Sequence, residues 1–302
     1  MSEDQIFNDF CLLHTGIYFG KFPDKNIFKE LEKTNVNCII NLTDKEIEHD
    51  FFGRIISFPL SEKIVPNEDE VIDFIKDITV LFLRDNISFY ICDDRGTYRA
   101  QFIAGLIYGF FDNHNYEVVI NLLKERYEMI NNRASEEVLS NKKYETLFKK
   151  LLKPYNFYNS SFFFSNFSKH LVNSSFFNLV FNNSEALFQA YKSPKDKKYI
   201  EKMVKVKTPQ TAKKYGREVK LREDWKEKVD GFFERRFHCM VDTLVDKINT
   251  NTLEWDFVKK DVGLRPIYEY TDKDLLWGSG KDYSGENWLG RAWKIAYIKS
   301  IF

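Results

Sequence analysis

The chain has 302 residues, enough for two domains of ordinary size, and its 43% hydrophobic content excludes a disordered or fibrous protein. No apolar run approaches the roughly 18 residues that a membrane helix needs, and the acidic start Met1–Phe10 lacks the layout of a signal peptide. Four scattered cysteines and five dispersed histidines argue against a disulfide framework and a zinc site. We therefore expect a soluble protein of the bacterial or host cytosol, with no metal or cofactor and no membrane partner.

The net charge of zero divides into an acidic and a basic half. Residues 1–150 carry 18 Lys and Arg against 26 Asp and Glu, and residues 151–302 carry 27 against 19. Within Lys192–Arg222 there are twelve basic residues and three acidic ones. The split favours two modules with different partners. The basic stretch is typical either of a solvated helical face or of a surface for a phosphate-rich ligand, and charge alone does not choose between them.

Strand and helix patterns alternate through the first half. Short apolar runs predict strands, and charged amphipathic segments predict helices. The predicted strands are Gly16–Gly20, Val36–Leu42, Arg54–Leu60 and Ile87–Cys92, and the predicted helices are Lys25–Thr34, Glu68–Leu83, Ala100–Phe111 and Asn141–Leu152. This alternation predicts an α/β fold with a parallel or mixed sheet covered by helices. Pro154, just after the last helix, predicts a boundary between domains at residues 1–153 and 154–302.

The strand Ile87–Cys92 runs directly into the loop Asp93–Arg99 and then into an apolar helix. A strand that enters a glycine-containing loop before a helix is where α/β proteins bind anions. Together with Leu13–Gly20 and the INLT sequence at Ile40–Thr43, this arrangement resembles a dual-specificity protein phosphatase over about residues 10–150. The resemblance implies a strand that ends in His-Cys, followed by x-x-Gly-x-x-Arg and then Ser or Thr.

The family motif can be placed on this loop in two registers. Matching Gly96 and Arg99 to the glycine and arginine puts Asp93 at the nucleophilic cysteine and Ala100 at the Ser or Thr. The other register makes Cys92 the nucleophile but leaves six residues before Arg99 where the cradle uses five, so we reject it. A carboxylate in place of the thiolate predicts a degenerate loop (Asp93, Gly96 and Arg99) in which Arg99 pairs with Asp93. We expect a pseudophosphatase domain, either a scaffold that binds an unknown protein partner or an evolutionary relic.

The second half has mainly helical patterns, interrupted by polar and aromatic motifs. Helical spacing covers Glu185–Ala190, Thr208–Tyr215, Asp224–Ile248 and Leu289–Ile298. The motifs are FSNF at Phe164–Phe167, SEALFQAYK at Ser184–Lys192, DLLWGSG at Asp274–Gly280 and GENWLG at Gly285–Gly290. A single glutamate is ordinarily an exposed helix charge, and a single tryptophan is ordinarily part of a core. Only the combination favours a functional site, with Glu185, Gln189 and Lys192 on one helical face.

In this order, and with Thr208–Trp225 between them, the motifs resemble the NADAR family of NAD- and ADP-ribose-associated, YbiA-like proteins over residues 156–302. The resemblance implies a mainly α domain and an N-glycosidase, which hydrolyses the bond between a ribose and a nitrogen. It implies Glu185 and Asp274 as the catalytic residues. The substrate-binding residues that it implies are Phe164, Ser165, Asn166, Phe167, Gln189, Lys192, Trp225, Glu269, Trp277, Gly278 and Asn287.

Three functions remain open at this point. The first is an enzyme that removes ADP-ribose from ADP-ribosylated guanine in DNA or RNA, with DNA favoured and ADP-ribose as product. The bias toward Lys, Asn and Phe is typical of an AT-rich genome such as that of a phage, which would fit counter-defence against ADP-ribosyltransferase toxins. The second is an N-glycosidase of a ribosylamino-pyrimidine intermediate in the riboflavin pathway. The third is a non-catalytic protein that binds ADP-ribose or nucleic acid. The basic stretch Lys192–Arg222 favours the larger, phosphate-rich substrate.

Overall fold

The computed structural model describes residues 10–47, 51–129 and 137–302. These residues form two compact units. The first unit extends to Lys153 and also includes Leu264–Pro266, and the second comprises Pro154–Gly263 and Ile267–Phe302. No helix within the described ranges is long and apolar enough to cross a membrane.

A mixed five-stranded sheet forms the centre of the first unit. Its strands are β1 (Phe10–His14), β2 (Ile17–Lys21), β3 (Cys38–Asn41), β4 (Arg54–Ser57) and β5 (Phe89–Asp93). They lie in the order β1-β2-β5-β3-β4, and all neighbours are parallel except β1 and β2. Every residue of β3 and β5 is buried, as is typical of central strands with both faces covered.

Helices follow the strands of this sheet. They are α1 (Lys25–Leu31), α2 (Glu68–Arg84), α3 (Tyr98–Phe111), α4 (Tyr116–Glu128) and α5 (Lys142–Leu151). Helix α3 is buried from Arg99 to Phe110, because it contacts the sheet together with α2, α4 and α5. A helix that is apolar all round is suited to such a central position. The order of elements brings the loop between β5 and α3 to the carboxyl end of the sheet, where its backbone N–H groups converge.

The second unit is mainly helical. Its helices are α6 (Ser184–Ala190), α7 (Lys197–Lys205), α8 (Pro209–Glu218), α9 (Arg235–Thr250), α10 (Thr252–Val262) and α11 (Trp288–Lys299), with a 3-10 helix at Glu223–Lys226. Two small sheets pair β6 (Tyr155–Phe157) with β9 (Ile267–Glu269) and β7 (Val172–Ser174) with β8 (Leu179–Phe181). All five tryptophans of the chain lie in this unit, and Trp255 and Trp293 stack in its core with ring centroids 6.1 Å apart.

The predicted fold class is confirmed, since an α/β unit precedes a mainly α unit. The helix predicted over Asp224–Ile248 is wrong in its first part. The chain forms the short 3-10 helix and then turns at Gly231, which has a left-handed φ of 82°, so that α9 begins only at Arg235. The side chain of Asp230 accepts hydrogen bonds from the backbone N–H groups of Phe232 and Phe233. These bonds stabilise the turn rather than a helix.

Candidate active site

Glu185 lies in the first turn of α6 and points into a cavity of the second unit. The side chain is only 5% exposed, and its Oε1 accepts a 2.7 Å hydrogen bond from Nε2 of Gln189, one turn later. Burial raises the pKa of Glu185, although the hydrogen bond from Gln189 and the charges of Lys213 and Lys192 act in the opposite direction. The carboxyl group is therefore held in one place and binds its proton more tightly than an ordinary glutamate.

Helix α8 packs on this row of side chains at Gly216. A Cβ at this position would lie 1.7 Å from Oε1 of Gln189, so any other residue would displace the glutamine side chain from its present position. The Nζ of Lys192 donates a 2.8 Å hydrogen bond to the carbonyl oxygen of Gly216. The close approach of α8 thereby fixes both Gln189 and Lys192 beside Glu185.

Glu269 is the last residue of β9, and Asn287 fixes its position. The backbone N–H of Glu269 donates to Oδ1 of Asn287 at 3.1 Å, and Nδ2 of Asn287 donates to the carbonyl oxygen of Ile267 at 2.9 Å. Asn287 itself has a left-handed backbone, with φ at 51°, just before α11. The amide side chain therefore acts as a substitute strand partner for β9.

A second carboxylate side chain, Asp274, lies near Glu269. Burial, then the negative charge of Asp274 and to a smaller extent that of Glu185, raise the pKa of Glu269 to about 7, while Lys213 opposes this shift. Asp274 is exposed on the following loop, where its Oδ1 accepts hydrogen bonds from two backbone N–H groups at 3.2 Å. Near neutral pH, Glu269 can therefore hold or release a proton.

Aromatic rings form one wall of the cavity. The ring of Phe188 lies 5.6 Å from Trp225 and 5.4 Å from Trp277, centroid to centroid. Trp225 is held by the 3-10 helix and is 5% exposed. Such a wall can stack on a planar base.

Cationic side chains surround the same cavity, whose volume is about 380 Å³. They are Lys192, Lys213, Arg217, Arg236 and Lys273. The guanidinium of Arg236 lies 5.2 Å from the ring centroid of Trp288 and pairs through Nε with Glu234. Guanidinium groups beside an aromatic wall suit a ligand that carries both phosphate and a ring.

Two buried polar atoms at the cavity have no hydrogen-bond partner among the described residues. They are Oδ1 of Asn166 and Oε1 of Gln189. A buried polar atom is normally paired, so an orphaned one at a cavity points to a ligand or a bound water. No group of three or more His, Cys, Asp or Glu within the described ranges is placed to hold a metal ion.

The first unit holds a carboxylate in a different setting, at the end of β5, where the loop leading to α3 surrounds it. Asp93 is 1% exposed. Its Oδ1 accepts from the N–H groups of Arg95 (2.9 Å), Gly96 (2.5 Å) and Thr97 (3.3 Å), and its Oδ2 accepts from those of Arg99 (3.1 Å) and Ala100 (2.9 Å). The loop is thus an anion cradle whose anion is the protein's own carboxylate.

The side chain of Arg99 does not pair with Asp93, which corrects the sequence-based expectation. Its Nη1 donates to the carbonyl oxygen of Leu60 at 2.7 Å, and its Nη2 pairs with Asp94 at 2.6 Å and with Glu62 at 3.3 Å. The reason is that the backbone N–H groups already occupy both oxygens of Asp93. The guanidinium turns outward to the two other carboxylates.

Cys92 lies one residue before this loop and points to the opposite face of β5. It is fully buried in the core cluster with Tyr90 and Ile39, and burial raises the pKa of its thiol. A thiol in this environment disfavours the thiolate that a cysteine phosphatase requires.

Comparison with known proteins assigns the second unit. Residues 153–295 match the model of the NADAR domain family. The C-terminal part of the chain is a NADAR domain. This family implies an N-glycosidase-type hydrolase. The NMR structure of the E. coli protein YbiA is 27% identical, and the match covers 49% of this chain and 82% of YbiA with a TM-score of 0.40.

Phosphatase structures match the other half of the chain. DUSP15 is 14% identical over 48% of this chain and 88% of its own, with a TM-score of 0.40. The human tyrosine phosphatase-like serine/threonine/tyrosine-interacting protein is 16% identical over 47% of this chain and 99% of its own, with a TM-score of 0.36. None of the curated proteins matches the chain.

The NADAR domain brings nine of the thirteen residues proposed from its sequence to one cavity. They are Asn166, Phe167, Glu185, Gln189, Lys192, Trp225, Glu269, Asp274 and Trp277. These residues come from segments more than one hundred positions apart in sequence. The cavity also gains Arg236 and Lys273, which sequence reasoning missed because neither stands in one of the motifs.

Four of the proposed substrate-binding residues lie outside the cavity lining: Phe164, Ser165, Gly278 and Asn287. The Phe164 ring packs against Trp293 in the core, at 4.9 Å. The carbonyl oxygen of Ser165 accepts a 3.0 Å hydrogen bond from the buried Lys247, and the Ser165 Oγ accepts from the N–H of Phe167 at 3.1 Å. Gly278 lies where a Cβ would meet Thr271 at 2.4 Å. These residues position the lining rather than form it.

The basic stretch Lys192–Arg222 does not form one face of the NADAR domain. Lys192, Lys213 and Arg217 line the cavity. Four other lysines line a separate groove between α7 and α8. The division follows from helical geometry, because residues two apart on a helix point to nearly opposite sides.

Proposed function

We propose that the NADAR domain removes ADP-ribose from ADP-ribosylated guanine in nucleic acid. The observation that carries this proposal is one cavity that combines the buried carboxyl group of Glu185 and the half-buried one of Glu269 with indoles and five cationic side chains. A volume of about 380 Å³ lies within the usual range for small-molecule sites. The guanine would stack on the aromatic wall, and the cations would bind the pyrophosphate.

The three carboxyl groups differ in environment, which suits them to different steps of hydrolysis. The bond between the ribose carbon and the guanine nitrogen breaks through an oxocarbenium-like state, and water forms the new C–O bond. Glu269, whose pKa is about 7, would give its proton to the leaving nitrogen. Asp274, on the open side of the cavity, would take a proton from the attacking water. Glu185, in the ionised form that Gln189, Lys192 and Lys213 favour, would stabilise the positive charge on the sugar.

Mass spectrometry provides the decisive assay. The full chain is incubated with an oligonucleotide that carries one ADP-ribosylated guanine, and free ADP-ribose is measured. We expect release by the natural protein and at least a hundredfold slower release by Glu185→Gln, roughly the loss caused by removing one acid–base or electrostatic group. Glu218→Gln, the same change at an exposed residue of α8, is the control and should retain activity.

Two results would overturn the proposal. Tight binding of the modified oligonucleotide without release would indicate a non-catalytic binding protein. Cleavage of a ribosylamino-pyrimidine of the riboflavin pathway, without cleavage of the oligonucleotide, would indicate an N-glycosidase for a smaller substrate.

A further inference from the structure

A second concave surface lies between α7 and α8 of the NADAR domain, with a volume of about 460 Å³. We call it the lysine groove. It is defined by Lys198, Lys202, Lys205, Lys207 and Tyr215. The first three lysines are spaced four and three residues apart on α7, so they share one helical face. The opposite face of α7 is buried through Tyr199, Ile200 and Met203.

The lysines of the lysine groove carry charges that no ion pair within the described part of the chain neutralises. All four lysines are exposed, and within the described residues none of them forms an ion pair with a carboxylate. Glu201 is the acidic side chain in the lining. The ammonium group of Lys202 lies 3.2 Å from the ring centroid of Tyr215, which holds it over the groove. Four positive charges with one negative charge among them in a single groove favour a polyanionic ligand.

Helix α8 is the wall between the lysine groove and the cavity. Thr211 and Tyr215, one turn apart, face the groove, whereas Lys213 and Arg217 face the cavity. A helix with its side chains is about 10 Å across. A ligand that occupies both surfaces therefore has to extend past the edge of this single helix.

The lysine groove is also tied to the helix that carries Glu185. The hydroxyl of Tyr199 on α7 donates a 3.1 Å hydrogen bond to the carbonyl oxygen of Gln189 at the end of α6. Asn182, just before α6, donates through Nδ2 to the carbonyl oxygens of Val204 and Val206, both at 3.0 Å. These bonds hold α7, which carries three of the groove lysines, against α6.

We propose that the lysine groove binds the backbone phosphates of a nucleic-acid strand next to the nucleotide in the cavity. The substrate is then a polymer rather than a free nucleotide. The placement of a modified guanine in the cavity rests on the proposed function, whereas phosphate binding in the groove can be tested without it. Lysine contacts to phosphates release counterions and make binding dependent on salt.

The first experiment measures binding of an unmodified single-stranded DNA oligonucleotide by fluorescence anisotropy over a range of salt concentrations. The variant is Lys202→Glu with Lys205→Glu. The control is Lys169→Glu with Lys260→Glu, an equal charge change at exposed residues that line neither the cavity nor the groove. We expect the groove variant to bind about tenfold more weakly at moderate salt and to lower the salt slope by about 1.4, since each single-strand phosphate contact contributes about 0.7. The control should bind as the natural protein does.

The second experiment compares release of ADP-ribose from a modified oligonucleotide and from free ADP-ribosylated guanosine. We expect the groove variant to lose about tenfold in kcat/KM on the oligonucleotide and nothing on the guanosine. An unchanged salt slope, or equal losses in variant and control, would overturn the inference. If the natural protein releases no ADP-ribose but still binds DNA through the groove, the proposed function is wrong, whereas the inference that the lysine groove binds backbone phosphates is upheld.

Discussion

Asp93 and Glu185 are both buried carboxylates beside the start of a helix, yet their surroundings are opposite. Asp93 accepts hydrogen bonds from five backbone N–H groups. Glu185 accepts one from a side chain, that of Gln189, and faces a cavity lined with cations. The comparison teaches that donors supplied by the fold satisfy Asp93 fully, whereas Glu185 retains acceptor capacity for a ligand.

The same contrast separates the two anion-binding surfaces. In the first unit, the converging N–H groups would suit a phosphate, but a side chain of the loop already occupies them. In the NADAR domain, the positive charge comes from lysine and arginine side chains that line an open cavity. We therefore expect the first loop to be structural and the second site to be reactive.

The largest expected effect comes from removing the Asp93 carboxylate from the loop between β5 and α3. Asp93→Ala leaves five converging N–H groups without their acceptor, so we expect a loss of about 4 kcal/mol in the free energy of unfolding, measured by far-UV circular dichroism in urea. Inorganic phosphate should restabilise the variant but not the natural protein. Asp77→Ala, at an exposed residue of α2, is the control and should change stability by less than about 0.5 kcal/mol. A variant as stable as the natural protein would show that the Asp93 carboxylate does not hold the loop.

The next effect concerns Glu269 and pH. A group that must donate a proton and has a pKa of about 7 becomes inactive as the pH rises above that value. We expect kcat/KM for ADP-ribose release to fall about tenfold per pH unit above pH 7. Glu269→Gln should lower the rate at pH 6 about a hundredfold, and the activity that remains should no longer fall as the pH rises above 7. If the Glu269→Gln variant still lost activity above pH 7, the titrating group would be a residue other than Glu269.

A smaller effect is expected from Asn287, which acts through Glu269. Asn287→Ala removes the two hydrogen bonds that hold the end of β9. We expect kcat to fall about tenfold with KM nearly unchanged, because the misplaced group is the proton donor rather than a binding residue. A loss confined to KM would contradict a positioning role.

The smallest expected effect is in phosphatase activity. We predict that the natural chain hydrolyses no reactive aryl phosphate and that Asp93→Cys alone restores little, because Ala100 lacks the hydroxyl that assists thiolate departure. A colorimetric assay with and without vanadate measures this. Vanadate-sensitive hydrolysis that Cys92→Ser abolishes would show that Cys92 is the nucleophile.

Local signals predicted the elements that position both sites. Thr208 and Pro209 predict the start of α8. In the structure, Oγ1 of Thr208 accepts a hydrogen bond from the N–H of Thr211. The apolar run before Asp93 predicts strand β5. These interactions join residues only a few positions apart, so a local sequence pattern is enough to predict them.

Other features depend on distant partners and could not be predicted. Asn287 accepts a hydrogen bond from the N–H of Glu269, which precedes it by 18 residues, and it does so from a left-handed backbone conformation. The pairing of Arg99 with Glu62 rather than Asp93 depends on which oxygens the loop backbone has already occupied. Composition showed that Lys192–Arg222 is basic, but only the packing of α7 and α8 divides its charges between two surfaces.

The distribution of tryptophan makes the NADAR domain optically distinct. Since every indole of the chain lies in this unit, all tryptophan emission originates from it. Trp225 and Trp277 line the cavity, whereas Trp255 and Trp293 are packed together away from it. A stacked ligand should therefore quench one pair while the other continues to report on core packing. Substituting Trp255 and Trp293 by Phe would leave Trp225 and Trp277 in the cavity, with Trp288 beside Trp277, as the sources of the signal, so that occupancy could be titrated without a label.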